Sequence, residues 1–262
     1  MGNGSYPADK LTIIELEVLN MKFKLIILAL LGVLTTPVFG QANNIVERNL
    51  ACSINDGYTI NDVVEVMRGF EWSEETAPAV VLVREAIAVS GSFQMDWDFL
   101  ASFYYLSYAD MVEKRSAFRN RSLRQGARLR DVATCGDRVR INNVRFVGQN
   151  NGEPIPDVTV AIGTTCQLNG STLANAIEGA SNISEFMGPD VRNVAVINRG
   201  FGGPVTPANS EVGYRISFNS SAGFGEAMDT MQENLPTPNT ENPRTCNVGG
   251  MWVQYLIHSQ NN

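Results

Sequence analysis

The strongest constraint on the fold is a short segment that occurs twice. Residues 51–60, ACSINDGYTI, return as residues 165–173, TCQLNGSTL. Each copy has an apolar strand end with a cysteine, an Asn/Gly turn, and a threonine placed to cap a helix. A second Thr-Cys pair follows each copy at nearly the same distance, ending in Cys135 and Cys246. This spacing indicates a duplicated domain.

Each half has the same predicted order of elements: strand, helix, two strands, helix, strand. Hydrophobic periodicity places strands at 45–52, 79–87, 97–106, 139–147, 158–168, 191–199, 212–218 and 251–258, and helices at 60–70, 109–121, 173–186 and 223–235. The stretch Trp97–Leu106 alternates so that its aromatic residues share one face, and Val212–Phe218 repeats the pattern. An Asn/Gly/Pro-rich break near residue 150 divides two α+β units, 43–150 and 151–262.

The amino-terminal part predicts export. Met21 opens a basic start that is followed by an apolar core of about ten residues, which is typical of a secretory signal peptide. We interpret residues 21–42 as that peptide and residues 1–20 as an upstream extension; the other interpretation is a natural cytoplasmic leader. No later stretch is long and apolar enough to span a membrane. The mature chain is therefore predicted to be periplasmic or secreted, without a transmembrane segment.

The four cysteines all lie in the exported part, where an even count predicts disulfides. Three pairings are formally open. The repeat favours Cys52–Cys135 and Cys166–Cys246, one in each unit. The alternative of four free thiols for catalysis or metal binding lacks the Cys-x-x-Cys spacing common in such sites.

The charge pattern limits the partners. A formal net charge of −7 argues against nucleic acid as a partner. One basic run stands out, comprising Arg115, Arg119, Arg121, Arg124, Arg128 and Arg130. It is either a solvated helix flank or a patch for an anionic component of the cell envelope.

The predicted order, β-α-β-β-α-β in each unit, is that of the ferredoxin-like fold, in which strands one and four lie side by side. Two such units in one chain resemble the dimeric α+β-barrel superfamily as a tandem, fused pseudo-dimer. The resemblance implies an intrachain α+β barrel, a monomer, and two sheets packed face to face through the aromatic faces. The superfamily includes haem-handling monooxygenases, cofactor-free oxygenases, small-ligand binders and stress proteins, so the fold alone carries little function.

The resemblance also implies where a ligand would bind, namely between the helices and the sheet of one unit. The candidate lining residues are Asn55, Trp72, Arg84, Tyr104 and Tyr105 in the first unit and Asn169, Arg199 and Arg215 in the second. Arg84 and Arg199 lie on otherwise apolar strands. The simpler interpretation is an edge arginine in solvent; otherwise the charge requires a partner, either Glu85 or another acid, or a ligand.

Catalytic signatures are scarce. The sequence has no Gly-x-Ser-x-Gly motif, phosphate loop, dinucleotide fingerprint or zincin helix. Its only histidine, His258, is predicted to be a surface or edge residue, with a general base or haem ligand as the alternative. No metal site, cofactor or catalytic residue is predicted. The sequence therefore favours non-catalytic binding of a small molecule or an anionic envelope component. The alternatives are a cofactor-free or haem-dependent enzyme and a structural or interaction module.

Overall fold

A computed structural model describes residues 45–89, 97–120, 128–148, 153–202, 210–234, 244–247 and 249–260. The predicted signal peptide and upstream extension lie outside these ranges. The described residues form strands β1 (Ile45–Ile54), β2 (Val80–Ala88), β3 (Phe99–Tyr105), β4 (Ala133–Val147), β5 (Val158–Gln167), β6 (Val191–Phe201), β7 (Glu211–Phe218), β8 (Thr245–Cys246) and β9 (Gly250–Ser259). The helices are α1 (Ile60–Arg68), α2 (Tyr108–Asn120), α3 (Leu129–Val132), α4 (Leu173–Met187) and α5 (Ser221–Glu233).

Eight of these strands close into an antiparallel barrel. The sheet order is β7-β6-β4-β1-β3-β2-β9-β5-β8, and an additional pairing of β7 with β5 closes the ring. The short β8 is attached to β5 outside the ring. The chain is therefore an α+β barrel, as the resemblance implies.

The strand order is the same in both halves of the chain. It is β4-β1-β3-β2 in the first half and β9-β5-β7-β6 in the second. Strands one and four of each half pair side by side, as β1 with β4 and β5 with β9, which confirms that expectation. The halves are joined by backbone hydrogen bonding between strand edges, β2 with β9 and β4 with β6.

The expected face-to-face packing of the aromatic strand faces is wrong. Phe99 and Phe103 on β3 pack with α1 residues on the helix side, and Tyr105 packs against Met111 of α2. Tyr214 and Phe218 on β7 pack on the same side with α4 and α5 residues. A period of two separates the faces of a strand but does not say which one the helices cover. The faces with polar residues therefore line the barrel.

Both predicted disulfides are present, and the described residues include no free cysteine. Cys52 lies directly opposite Cys135 in the β1–β4 ladder, and Cys166 lies directly opposite Cys246 in the β5–β8 ladder. The first disulfide thus fastens the end of β1 to the start of β4, and the second fastens the end of β5 to the short β8, which precedes β9.

The two copies of the repeated segment form the same local structure. Thr59 caps α1 in a capping box with Asp62, and Thr172 caps α4 in a capping box with Asn175. The preceding turns place Gly57 and Gly170 at φ 86° and 90°, a left-handed conformation that favours glycine.

None of the described helices is long and apolar enough to cross a membrane.

Candidate functional site

A polar cluster occupies the inside of the barrel. Its members lie on inward-facing positions of five strands and are here called the Glu47 cluster: Glu47, Asn49, Arg84, Tyr104, Asn142 and Arg215. Glu47 is directly opposite Tyr104 on β3 and Asn142 on β4. Arg215 reaches it from β7, which does not pair with β1. The cluster therefore joins the two halves across the interior.

Glu47 is the centre of the hydrogen bonds. Its Oε1 accepts from the Tyr104 hydroxyl at 2.7 Å, from Arg215 Nη1 at 2.7 Å and from Arg84 Nη2. Its Oε2 accepts from Asn142 Nδ2 at 3.1 Å. Arg215 Nη2 also donates to the Tyr104 oxygen at 2.7 Å, as Arg84 Nη2 does at 3.3 Å. The carboxylate, the phenol and both guanidinium groups thus form one connected network.

The network carries an excess positive charge. Burial by itself would raise the pKa of Glu47, but Arg215 and then Arg84 outweigh it and hold that pKa well below its usual range. Burial raises the pKa of Tyr104 to about 12, against the opposing effect of the two arginines. At neutral pH the cluster therefore contains one carboxylate, one neutral phenol and two guanidinium cations.

Acid pH is expected to destabilise the fold through Glu47. Because its pKa is lowered in the folded state, its contribution to stability is present above the usual value of 4.5 and is lost as the pH falls below that value. The free energy of unfolding, measured by urea denaturation between about pH 7 and about pH 3, should drop below about pH 4.5. The drop should be smaller in Glu47→Gln and unchanged in Glu74→Gln, which removes an exposed carboxylate. An equal drop in all three proteins would contradict this assignment.

The structure brings together three of the eight predicted site residues, Arg84, Tyr104 and Arg215. They lie inside the barrel and not between helices and sheet. Arg84 is 5% exposed, so the interpretation as an edge arginine in solvent is wrong. Its acidic partner is Glu47 and not Glu85, whose carboxylate accepts from the Tyr255 hydroxyl at 2.8 Å.

The other five predicted residues lie elsewhere. Tyr105 faces the helix side beside Met111. Asn55 donates to the Arg130 and Asp131 carbonyls, and Asn169 donates to Thr245 at 3.0 Å. Trp72 packs against Phe70. Arg199 forms a 2.8 Å ion pair with Glu211 on inward-facing positions of β6 and β7, and its side chain is 33% exposed.

Sequence reasoning missed Glu47. The available signal was an acidic residue inside strand β1, of opposite charge to the buried arginine on β2.

The predicted basic run stays a prediction. Arg121 and Arg124 lie outside the described residues, and nothing is described for the Arg119 side chain.

His258 differs from the expected surface residue. It is half-buried on β9, with its ring centroid 5.4 Å from that of Trp72. Burial, with a smaller effect of Lys114, lowers its pKa, so the ring is neutral at neutral pH. Its Nε2 is buried and has no hydrogen-bond partner within the described residues. A haem iron must reach an imidazole nitrogen directly, and a closed Nε2 beside a packed indole ring does not fit that role.

Trp252 occupies part of the barrel interior. It lies on the inward-facing side of β9, two residues from Gln254, which is directly opposite Arg84. A Cβ atom on Gly163 would come within 2.9 Å of its indole, and one on Gly250 within 2.7 Å. Glycine at both positions therefore makes room for the ring.

The chain was compared with known proteins. No protein-family model and no curated protein matches the sequence. Among solved structures, the chain is similar to an anthrone oxidase-like protein, with 11% identity, a TM-score of 0.45, and coverage of 84% of this chain and 96% of that one. It is also similar to an encapsulated DyP-type peroxidase from Mycobacterium smegmatis, with 11% identity and a TM-score of 0.42. That match covers 84% of this chain and 95% of the peroxidase chain. A third similar structure is a variant of DypB from Rhodococcus jostii in complex with haem. It has 10% identity and a TM-score of 0.43, and the match covers 84% of this chain and 96% of that one.

The functional prediction is corrected here. Non-catalytic binding was favoured from the sequence, whereas the similar structures are those of an oxidase-like protein and of peroxidases. The enzyme alternative is argued below from the Glu47 cluster. The closed ring of eight strands confirms the α+β barrel that the resemblance implied.

Proposed function

We propose that the protein is an enzyme that works without a bound cofactor and transfers protons on a small carbonyl compound inside the barrel. The observation that carries the proposal is the Glu47 cluster. A phenol, a carboxylate and two guanidinium groups form one hydrogen-bonded network in the buried interior. Such preorganised charges are effective where negative charge develops on a reacting oxygen.

The proposed reaction is enolisation. Glu47 Oε2 takes the proton from the carbon next to the carbonyl group, and the carbonyl oxygen takes the proton of Tyr104. Arg84 and Arg215 stabilise the negative charge, first on the substrate oxygen and then on the phenolate. No proton is gained or lost overall. Rotation of the Glu47 carboxyl group brings the protonated oxygen to the position of Oε1, 2.7 Å from the Tyr104 oxygen, and return of the proton to the phenolate restores both groups. Because the low pKa of Glu47 makes it a weak base, the rate depends strongly on Tyr104 and the two arginines, which act on the substrate oxygen.

A route from solvent is consistent with this location. Arg199 is partly exposed and lies directly opposite Asn142, which contacts Glu47. Glu211 pairs with Arg199 from the neighbouring strand β7. The Arg199–Glu211 pair thus lies between solvent and the Glu47 cluster, where it can admit a small substrate.

The test is hydrogen–deuterium exchange at carbon in heavy water, followed by proton NMR with pyruvate and 2-butanone as probes. We expect the wild-type protein to accelerate exchange with at least one probe, and Tyr104→Phe to slow it by about 10²–10⁴-fold. Tyr58→Phe is the matched control, because Tyr58 is 46% exposed and outside the cluster. Absence of exchange with both probes, or an equal rate in Tyr104→Phe, would contradict the proposal.

Two finer predictions belong to the same proposal. The identical strand orders of the two halves support tandem ferredoxin-like units at 43–150 and 151–262 that arose by duplication. The two disulfides support an oxidising location, the periplasm or the exterior. The signal peptide starting at Met21 remains a prediction, which amino-terminal sequencing of the exported protein would test.

A further inference from the structure

Part of the barrel wall beside the Glu47 cluster has polar atoms without partners. Arg84 Nε, Ser102 Oγ and Gln254 Oε1 are buried and have no hydrogen-bond partner within the described residues. The three residues are at most 5% exposed. They are here called the β3–β2–β9 patch, after the strands that carry them.

The strand register makes these three residues neighbours. Gln254 is directly opposite Arg84 in the β2–β9 ladder. Ser102 is directly opposite Leu82, which is two residues from Arg84 and therefore on the same face of β2. All three positions face the interior, because Arg84 reaches Glu47 there. The patch is thus one continuous area of the inner wall.

Unpartnered buried groups of this kind are costly. Each such group is expected to lower the free energy of unfolding by about 1–3 kcal/mol, and native structures contain few of them. The Gln254 amide nitrogen is already used, since it donates to Thr159 at 3.1 Å and to Ser217 at 3.3 Å. The amide carbonyl is left as an acceptor on the strand next to Arg84. Three unpartnered polar groups on three neighbouring strands indicate a bound molecule that satisfies them together.

The charge of the cluster indicates the sign of that molecule. Arg84 and Arg215 face the single carboxylate of Glu47, so one positive charge is left without a counter-ion in this cluster. Buried charges are ordinarily paired, and one small monoanion would complete the pairing. The indole N–H of Trp252 is a further buried donor without a partner on the same face of β9.

We propose that the β3–β2–β9 patch binds a small monoanion that carries its own hydroxyl group. The negatively charged oxygens accept from Arg84 Nε and the Ser102 hydroxyl, and the hydroxyl of the ligand donates to Gln254 Oε1. A simple carboxylate leaves Gln254 unpaired, which disfavours it. The chemistry fits a short 2-hydroxy carboxylate or hydrogencarbonate. This anion is a different molecule from the carbonyl substrate proposed above, so the inference goes beyond the proposed function and does not depend on it.

Isothermal titration calorimetry on the full exported chain tests the proposal, with glycolate, hydrogencarbonate, acetate and chloride as separate probes. We expect glycolate or hydrogencarbonate to bind on the order of tenfold or more tightly than acetate, and chloride to give no measurable heat. Tighter binding of glycolate or of hydrogencarbonate shows which of these two anion classes the site takes. Equal binding of acetate and glycolate, or no heat with any probe, would overturn the proposal.

One substitution separates lost binding from lost folding. Gln254→Glu keeps the shape of the side chain and places a carboxylate opposite Arg84, which supplies the missing counter-charge from the protein itself. We expect binding to weaken by about 100-fold or more while the melting temperature stays the same or rises. Gln232→Glu, at an exposed position on α5, is the matched control and should change neither. Undiminished binding in Gln254→Glu would refute the assignment.

The binding experiment and the exchange experiment can contradict their two proposals independently of each other. Glycolate binding without carbon exchange would contradict the enzyme proposal and leave the anion site standing. Carbon exchange of pyruvate without binding of either hydroxy anion would support the enzyme and remove the site.

Discussion

Replacing Glu47 with glutamine is expected to lower the free energy of unfolding by about 3–5 kcal/mol. Glu47 has a 1% exposed side chain and is the carboxylate that pairs with both Arg84 and Arg215. Its removal leaves two cations in a low-dielectric interior without a counter-charge, and a neutral amide does not compensate them. Guanidinium denaturation followed by circular dichroism measures the loss.

The neighbouring glutamate provides the control for this change. Glu85 is one residue from Arg84 but is only half-buried, and its described contact is a hydrogen bond from Tyr255. Glu85→Gln should cost about 1 kcal/mol. The triple variant Glu47→Met, Arg84→Met, Arg215→Met should recover much of the loss, because it removes all three charges together. If Glu47→Gln and Glu85→Gln lose the same free energy, the cluster does not have the energetic role assigned to it.

Loss of either disulfide is expected to cost about 4–5 kcal/mol. The bonds close loops with sequence separations of 83 and 80. Loop-closure entropy depends on the logarithm of loop length, so the two losses should differ by less than about 0.1 kcal/mol from this source. Paired alanine substitutions at Cys52 and Cys135, and at Cys166 and Cys246, are compared by guanidinium denaturation. A loss below about 1 kcal/mol would exclude the chain-entropy account.

The two bonds should nevertheless differ in their local effects. Cys52 and Cys135 lie in the long β1–β4 ladder, which holds its register along most of both strands. Cys246 belongs to the two-residue strand β8, which is held by two ladder positions. We expect amide exchange at Thr245 and Cys246 to accelerate when the second bond is removed, while the β1–β4 ladder stays protected without the first. Equal local protection in both variants would contradict this difference.

Only some members of the Glu47 cluster could be predicted from the sequence. Arg84 was singled out because a charge in an apolar strand requires a partner, and Tyr104 and Arg215 were candidates for lining the pocket that the resemblance implied. Glu47 was not, since it is 168 positions from Arg215 and 37 from Arg84, and no local rule links residues so far apart. His258 was expected at the surface, because its position near the end of a strand gave no sign of Trp72 beside it.

The sequence by itself determined the features that depend on neighbouring residues or on the repeat. The order of strands and helices followed from hydrophobic periodicity, and the caps at Thr59 and Thr172 followed from their turns. Both rest on short-range geometry that the backbone imposes on almost any chain. The cysteine pairing followed from the nearly equal spacing in the two copies of the repeat, 83 and 80 positions.

Only the tertiary structure decided which face of each strand is inside. The alternation of β3 separates Phe103 and Tyr105 from Tyr104 but does not say which set meets the helices. Closure of the ring through the β2–β9 and β4–β6 edges turned the aromatic faces outward and brought Arg215 to Glu47. The physical reason is that a strand buries both faces in a helix-covered barrel. Hydrophobicity then marks the side toward the helices, and the enclosed polar side is determined by partners from distant strands.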